Sequence, residues 1–395
     1  MKDLIKDKKF IIAVHENLVI GPPYDLRTFL LEKPVEKLIY ISHPLTSEKE
    51  FYKGVSQCEV YKRCKLTQKI KAFHWRLPDP LLYVKDVFYT IFWSVRFNKK
   101  HNLFIGVDPL NALAGLILRF FGRVEKVIYY AIDYFTPRFE NKILNYIYHN
   151  IDKLCVRFCD ETWNLSDVMA TAREKYNNMP VKIYNRQHTV PVGIWFYRAK
   201  RKEFAKINKK KIIFTGHLNP VMGADLILHA MPKIIKNIPD IKLEIIGGGQ
   251  EYDSLRKLAN DLSLDKYVLF HGWIEDRKKL ENLLSDAALG LAPFNTKIPG
   301  DKIRNADPAK LKDYALLGLP FIVTDAIANP EEITEKKCGI IINYDKDQLA
   351  NAVIKLLTNE KMLKDYRVNA LKFVKKYDNE ALFTLNLERI LKKKY

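Results

Sequence analysis

The chain has 395 residues, 48% of them hydrophobic, with 21 Phe and 21 Tyr; this exceeds one ordinary core, excludes a disordered chain and favours two domains. A formal net charge of +20 points to an anionic partner, whether nucleic acid, a phosphorylated ligand or an acidic membrane surface. The five cysteines are odd in number and sparse, which argues against a secreted disulfide framework and suits a reducing cytoplasm.

The opening residues, MKDLIKDKKFIIAVHENL, carry charges inside their apolar stretch and no small-residue cleavage site, so they do not read as a signal peptide. Short apolar runs at 10–14, 38–42, 102–107 and 126–131, bounded by turn residues, read as buried parallel strands. Residues 25–31 and 111–121 read as helices between them, 161–168 as a strand and turn, and 186–190 as a further strand. Gly21-Pro22-Pro23 reads as a loop. The longest greasy region, 103–121, is interrupted by Asp108, Pro109, Asn111 and Arg119. It falls short of the ~20 apolar residues of a spanning helix. Cys155 and Cys159, four apart in a helical context, read as buried structural thiols, since one such pair does not make a zinc site.

Residues 61–100 combine ten Lys or Arg with nine aromatics and two acidic residues, Asp79 and Asp86. This mixture suits the headgroup region of an anionic membrane better than a plain packed helix; single-stranded nucleic acid is the weaker alternative, and no nucleic-acid partner is expected.

From 191 the character changes. A Pro-Val-Gly turn leads into a dense basic stretch, and 193–210 reads as a linker between a first α/β domain at 1–192, which the resemblance given below makes the acceptor-binding one, and a second α/β domain at 211–378. Strands are expected at 212–215, 242–246, 268–271, 288–292, 321–324 and 339–342. Helices are expected at 224–236, 252–262, 277–285, 308–317 and 346–356, with a last basic helix at 380–394. In such a doubly wound domain, ligands bind at the carboxyl ends of the strands.

Within it, RNADPAKLKDYALLGLPFIVTD at 304–325 runs a polar loop into a helix, a Gly-x-Pro turn and a buried strand. A helix N-terminus offers unpaired N–H groups and partial positive charge to an anion. Lys310 adds a full charge there, Asp307 lies beside it, and Asp313 lies one turn on, where it suits sugar hydroxyls. That combination matches a nucleotide-diphosphate-sugar. Gly247–Gly249 follow a strand and precede a helix, and such a loop lets backbone approach a phosphate or base.

Four segments in order, KIIFTGHLNPVMGADLILHAM, IKLEIIGGGQEYDSLRKLANDLSLDKYVLFHGWI, LENLLSDAALGLAPFN and PAKLKDYALLGLPFIVTD, resemble glycosyltransferases of the GT-B fold, most closely the GT4-like families. The resemblance covers nearly the whole second domain and little of the first. It implies an α/β architecture of two Rossmann-like, doubly wound parallel-sheet domains facing a cleft, with the C-terminal helix at 379–395 crossing to the first domain. It further implies a UDP- or GDP-sugar donor lying on Gly248 and Gly249, with the base held near Trp273 and Ile274. No metal is expected: there is no Asp-x-Asp in a suitable loop, and this fold generally works without one.

The chain departs from the family pattern in three places. The usual Arg and Lys for the diphosphate fall on His217 and Met222, and the usual Glu-x7-Glu pair falls on Asn305 and Asp313. The phosphate charge must then come from elsewhere, and Lys310 is the first candidate, with Lys302 and Arg304 behind it. A Pro-x-Lys-Leu-x-Asp-Tyr variant of the motif occurs in bacterial polysaccharide glycosyltransferases and in some glucuronosyltransferases.

In the first domain Asp133, after the strand ending at 131, is the first candidate to take a proton from an acceptor hydroxyl or to orient it. Asp108, His15 and Glu16, also at strand carboxyl ends, are the alternatives. The expected activity is metal-independent transfer of a hexosyl or glycuronosyl group to a glycolipid, polyprenyl-linked or polysaccharide acceptor. Its expected place is cytoplasmic, peripheral on the inner face of the plasma membrane. The alternatives are a sugar-nucleotide epimerase and a non-catalytic sugar- or nucleotide-binding scaffold of the same fold.

Overall fold

The computed structural model describes residues 2–15, 21–44, 55–73, 75, 78–134, 136–298 and 307–392. The chain divides into two compact units, Met1–Val192 with Asn379–Tyr395, and Gly193–Asp378. Each is a mixed α/β unit built on a largely parallel sheet.

Among the described residues the first unit holds eight strands: β1 Lys9–Val14, β2 Lys37–Ser42, β3 Gln57–Lys62, β4 Lys65–Lys71, β5 His101–Val107, β6 Val124–Ala131, β7 Glu161–Asn164 and β8 Gln187–Thr189. Their order is β4-β3-β2-β1-β5-β6-β7-β8. The central strands are parallel and almost wholly buried, with Phe10, Ile11, Ile12, Leu103, Phe104, Val127 and Ile128 inaccessible. Burial on both faces explains why they read as continuous apolar runs rather than as alternation.

Three features differ from expectation. Beyond β2 the sheet continues as an antiparallel hairpin of β3 and β4, turning at Arg63 and Cys64 with φ of 46° and 66°. Two positive-φ residues make a primed two-residue turn, but without the Asn-Gly chemistry that signals one in a sequence. The outer strand, KLTQKIK, is almost wholly exposed and Lys-rich, as an edge that must not pair further. Second, the expected loop at 21–23 opens the helix Pro22–Leu31, with both prolines in its first turn, where a missing N–H costs nothing. Third, 193–210 is no separate linker. Ile194 is buried in the core of the second unit, and its N–H bonds to the carbonyl of Tyr377.

Helices Asp79–Phe97, Pro109–Phe120 and Lys142–Phe158 adjoin in that order, with the middle one over β5 and β6. The helix Asn379–Lys392 belongs to the first unit and packs on Pro22–Leu31, with the rings of Phe29 and Phe383 5.6 Å apart. Arg389 locks it there through the buried carboxylate of Glu161, at 2.8 and 3.0 Å.

The second unit holds β9 Asn208–Thr215, β10 Lys242–Ile246, β11 Val268–Gly272, β12 Ala287–Ala292, β13 Phe321–Thr324 and β14 Gly339–Ile342. All pair in parallel in the order β11-β10-β9-β12-β13-β14. Each unit thus has one place where strand order reverses, between β1 and β5 and between β9 and β12. Loops diverge there and leave a crevice at the carboxyl ends.

Candidate functional site

In the second unit, Lys310 comes from the first turn of the helix Ala309–Leu316 and reaches the reversal point between β9 and β12. Its ammonium stands 4.4 Å from the ring centre of Phe214 at the end of β9 and 5.0 Å from that of Phe294 just after β12. Met222 Sδ is 3.6 Å away. A Cβ added to Gly216 would lie 2.9 Å from Lys310 Nζ. Among the described residues no carboxylate pairs with this ammonium. Burial therefore acts unopposed and pushes its pKa down to about 7. Aromatic faces soften the desolvation but do not neutralise the charge.

Around it, the loops after β9, β10 and β11 stack backbone on backbone. Gly216 N–H bonds to Ile246 O at 3.0 Å, Leu218 N–H to Gly248 O at 2.9 Å, and Gly247 N–H to Gly272 O at 2.9 Å. The approach leaves no room for side chains: a Cβ on Gly247 would fall 1.8 Å from Gly216 O, and one on Gly249 2.5 Å from Leu218 O. Both glycines also sit at positive φ. His217 and Trp273 face each other across these loops, ring centres 5.6 Å apart and tilted by 30°, and Trp273 keeps 38% of its surface exposed. Ile274 packs on the core below.

Asp313 accepts a hydrogen bond from Arg277 Nη2 at 2.6 Å, and Asp307 is ion-paired with Lys312. Both carboxylates thus carry a protein cation alongside whatever else they meet. Arg277, the first residue of the helix Arg277–Ser285, carries no local sequence signal for this pairing, because its partner lies 36 residues later. Lys302, Arg304 and Asn305 lie outside the described residues.

In the first unit, four polar residues follow four neighbouring strands: His43 after β2, His15 after β1, Asp108 after β5 and Asp133 just beyond β6. His15 Nδ1 donates to Asp108 Oδ2 at 2.7 Å, and Asn111 Nδ2 donates to the same oxygen at 2.7 Å. The backbone N–H of Asn111 bonds Asp108 Oδ1 at 2.9 Å, so Asp108 also caps the helix Pro109–Phe120. Its φ of 87° is unusual for a residue with a side chain, the sort of local strain that collects at functional sites. Part of its carboxylate, 21% of the side chain, stays open.

Behind His15 sits Asp86, buried on the inner face of the helix Asp79–Phe97. It lies 3.5 Å from His15 Nε2, pairs with Lys85 Nζ at 2.7 Å, accepts from Ser56 at 2.9 Å and is 3.2 Å from His43 Nδ1. Two carboxylates therefore meet two cations, His15 and Lys85. Burial opposes charge on His15, but Asp108 and Asp86 outweigh it and raise its pKa to about 10. Burial wins at His43, whose pKa falls, so that imidazole stays neutral with Nε2 2.8 Å from Thr90 Oγ1. Asp108 is held ionised: burial is overcome by His15 and by bonds from Asn111.

His15 and Asp108 are thus brought together. Asp133 is engaged separately, with Arg138 Nη1 at 2.6 Å, and Arg138 is close enough to feel the charge of Asp108 as well. Glu16 lies outside the described residues. Asp86 was visible in the sequence only as one of two acids in a basic segment, and Asn111 as the third residue of a capped Pro-start helix. Among the described residues no group of three His, Cys, Asp or Glu is placed to hold a metal ion.

The family model described as glycosyl transferases group 1 matches residues 197–373. A GDP-mannose-dependent alpha-(1-6)-phosphatidylinositol monomannoside mannosyltransferase of Mycobacterium tuberculosis (strain CDC 1551 / Oshkosh) is 28% identical over 159 residues, 40% of each chain. The putative glycosyltransferase YtcC of Bacillus subtilis (strain 168) is 29% identical over 198 residues, 47% of this chain and 44% of its own. The match thus spans well under half the length of these curated relatives. Among solved structures, sucrose-phosphate synthase of Thermosynechococcus elongatus aligns over 97% of this chain and 98% of its own, with TM-score 0.72 and 14% identity. Anabaena HepE in complex with UDP-glucose aligns over 97% and 99%, with TM-score 0.68 and 14% identity. The chain has the fold of the GT-B glycosyltransferases, two parallel-sheet units with a reversal point in each, and residues 197–373 of its second unit match the group 1 glycosyl transferases.

Proposed function

We propose that the protein transfers a glycosyl group from a UDP- or GDP-linked sugar to a hydroxyl of a membrane-linked glycolipid or polyprenyl-linked acceptor. The observation that carries this reading is the ammonium of Lys310, enclosed at the reversal point of the second unit with no carboxylate partner among the described residues. A diphosphate is the group that such a site lacks. Its arrival would restore the full charge on Lys310, which with the first-turn N–H groups of the helix Ala309–Leu316 would stabilise the leaving diphosphate. Trp273 and His217 offer a face to the base.

In the first unit Asp108 is the group we assign to the acceptor. Because its pKa is depressed, it is a weak base; it would orient a hydroxyl by accepting its hydrogen bond rather than remove a proton early. Asp133 with Arg138 is the second polar pair at that edge. The curated relatives named as GDP-mannose-dependent mannosyltransferases of phosphatidylinositol mannosides support a lipid acceptor, and neighbours in complex with UDP-glucose support a nucleotide-sugar donor. Among the described residues no helix is long and apolar enough to cross a membrane. The helix Asp79–Phe97 instead exposes Leu81, Val84, Phe88, Phe92 and Val95, one stripe at helical spacing, beside Phe73 and Trp75. That stripe supports peripheral binding of residues 61–100 to an anionic membrane, on the cytoplasmic face where such donors are made.

Met222 in place of a family lysine favours one rival, a scaffold that binds donor without transferring it. Thermal shift against UDP, GDP, UDP-glucose and GDP-mannose, on the native chain and on Lys310→Ala, separates these readings. We expect stabilisation by at least one nucleotide-sugar, lost in the folded variant, and transfer to extracted membrane lipid. Binding with neither transfer nor hydrolysis would favour the scaffold; no binding of any nucleotide would defeat both.

A further inference from the structure

The apolar stripe of the helix Asp79–Phe97 does not end at that helix. Next to it lies Pro109–Phe120, whose outward positions Leu110, Leu113, Leu116, Ile117 and Phe120 are all apolar, with Arg119 the exception. Phe120 and Phe121 are 85% and 68% exposed, side by side at the helix end. Beyond it, Lys142–Phe158 exposes Ile143, Tyr146, Ile147, Leu154 and Phe158, again at helical spacing. Arg119 ties the two ends together, donating to Phe158 O at 2.7 Å and to Asp160 at 2.8 Å. The outer side of this layer is thus one apolar surface three helices wide. From Leu81 to Val95 it runs about 20 Å along the helix axis.

Its charge says what covers it. Arg96, Lys142, Lys153 and Arg157 lie on or beside the outward faces, whereas the acids Asp86 and Asp152 both point inward and are buried. No described outward side chain on the three helices is acidic. A second copy of the chain would set cation against cation; an anionic lipid surface offers acyl chains to the Phe and Ile residues and phosphates to the rim. We infer that the three helices Asp79–Phe97, Pro109–Phe120 and Lys142–Phe158 lie together on an anionic bilayer, with Phe120 and Phe121 at the end of the middle helix inserted in it. This rests on the membrane reading above and extends it well past residue 100.

The test is flotation of the full chain with phosphatidylcholine vesicles, with and without phosphatidylglycerol, at low salt. Three variants are compared after circular dichroism shows unchanged folding: F88S/F92S, F120S/F121S and I143S/Y146S/I147S. The native chain should float with the anionic vesicles alone, and each variant should lose about tenfold in partitioning. If F88S/F92S loses binding while the other two bind like the native chain, the contact stops at residues 61–100 and the extension is overturned, with the membrane reading intact. If the native chain floats with neither vesicle, both fall. A concentration-dependent dimer that these substitutions dissolve, without vesicle binding, would assign the surface to a second copy instead.

Discussion

His15 Nδ1 stands 2.7 Å from Asp108 Oδ2, joining residues 93 positions apart at the ends of adjacent strands β1 and β5. With Asp86 on its far side, the imidazole is an imidazolium at neutral pH. A raised pKa contributes stability that is fully present below the ordinary value of 6.5 and is lost as pH rises through about 10. Relative to His15→Gln, which leaves Lys310 unchanged, the native denaturant midpoint should therefore fall between pH 7 and pH 10.5, on the order of 2–4 kcal/mol. Asp86→Asn should move the His15 titration, followed by NMR, toward neutrality and flatten that fall. A His15 signal that titrates near 6.5 in the native chain would refute the charged pair.

Lys310 works with the opposite sign. Its pKa is depressed from 10.5 to about 7, so the folded state gives up a proton that the unfolded state keeps, and stability rises with pH between those values. Lys310→Met should accordingly stabilise the ligand-free protein near pH 7, by roughly 1–3 kcal/mol in chemical denaturation, while donor binding collapses. Calorimetric titration of the native chain with UDP or GDP at pH 8, in buffers of differing ionisation heat, should register uptake of a proton. Buffer-independent heats would mean that the ammonium does not meet the diphosphate.

Tyr314 holds the donor-side helix to the sheet. Its hydroxyl accepts from Thr215 N–H at 2.9 Å and donates to Leu291 O at 3.1 Å, bridging β9 and β12 below Lys310. The ring lies over Gly290, where an added Cβ would come within 2.4 Å. Gly290→Ala should cost about 2–4 kcal/mol by forcing the ring out. Tyr314→Phe should cost about 1–2 kcal/mol by leaving Thr215 N–H unpaired, and should weaken nucleotide binding as well. Urea denaturation with nucleotide titration of both variants checks this.

Trp273 is half out in solvent against His217, so its loss should leave folding nearly untouched. Trp273→Ala should weaken nucleotide affinity about five- to twentyfold through lost stacking, with a melting temperature close to that of the native chain. Equal affinity for UDP and GDP in native and variant proteins would place the base elsewhere.

The second unit was legible almost strand by strand. The runs at 212–215, 242–246, 268–271, 288–292, 321–324 and 339–342 all fall within β9 to β14, because parallel strands buried on both faces leave continuous apolar segments between turn residues. Lys310 was legible for a similar reason: its signal, a lysine in the first turn of a helix after a Pro, is local. The hairpin of β3 and β4 was not, since its turn is Arg-Cys and its outer strand is Lys-rich and exposed, without a continuous apolar run.

What the sequence by itself determined is therefore the local part: buried strands, helix starts, a basic aromatic segment and a lysine poised at a helix N-terminus. Tertiary structure decided the rest. Strand order, not sequence, set His15 against Asp108 and Lys310 between Phe214 and Phe294. Helix neighbours turned three separate apolar faces into one surface. The charge state of His15 and the lowered pKa of Lys310 follow from which groups surround them and which do not, and those surroundings include Asp108, 93 positions from His15, and Met222, 88 from Lys310, beyond the reach of any local pattern.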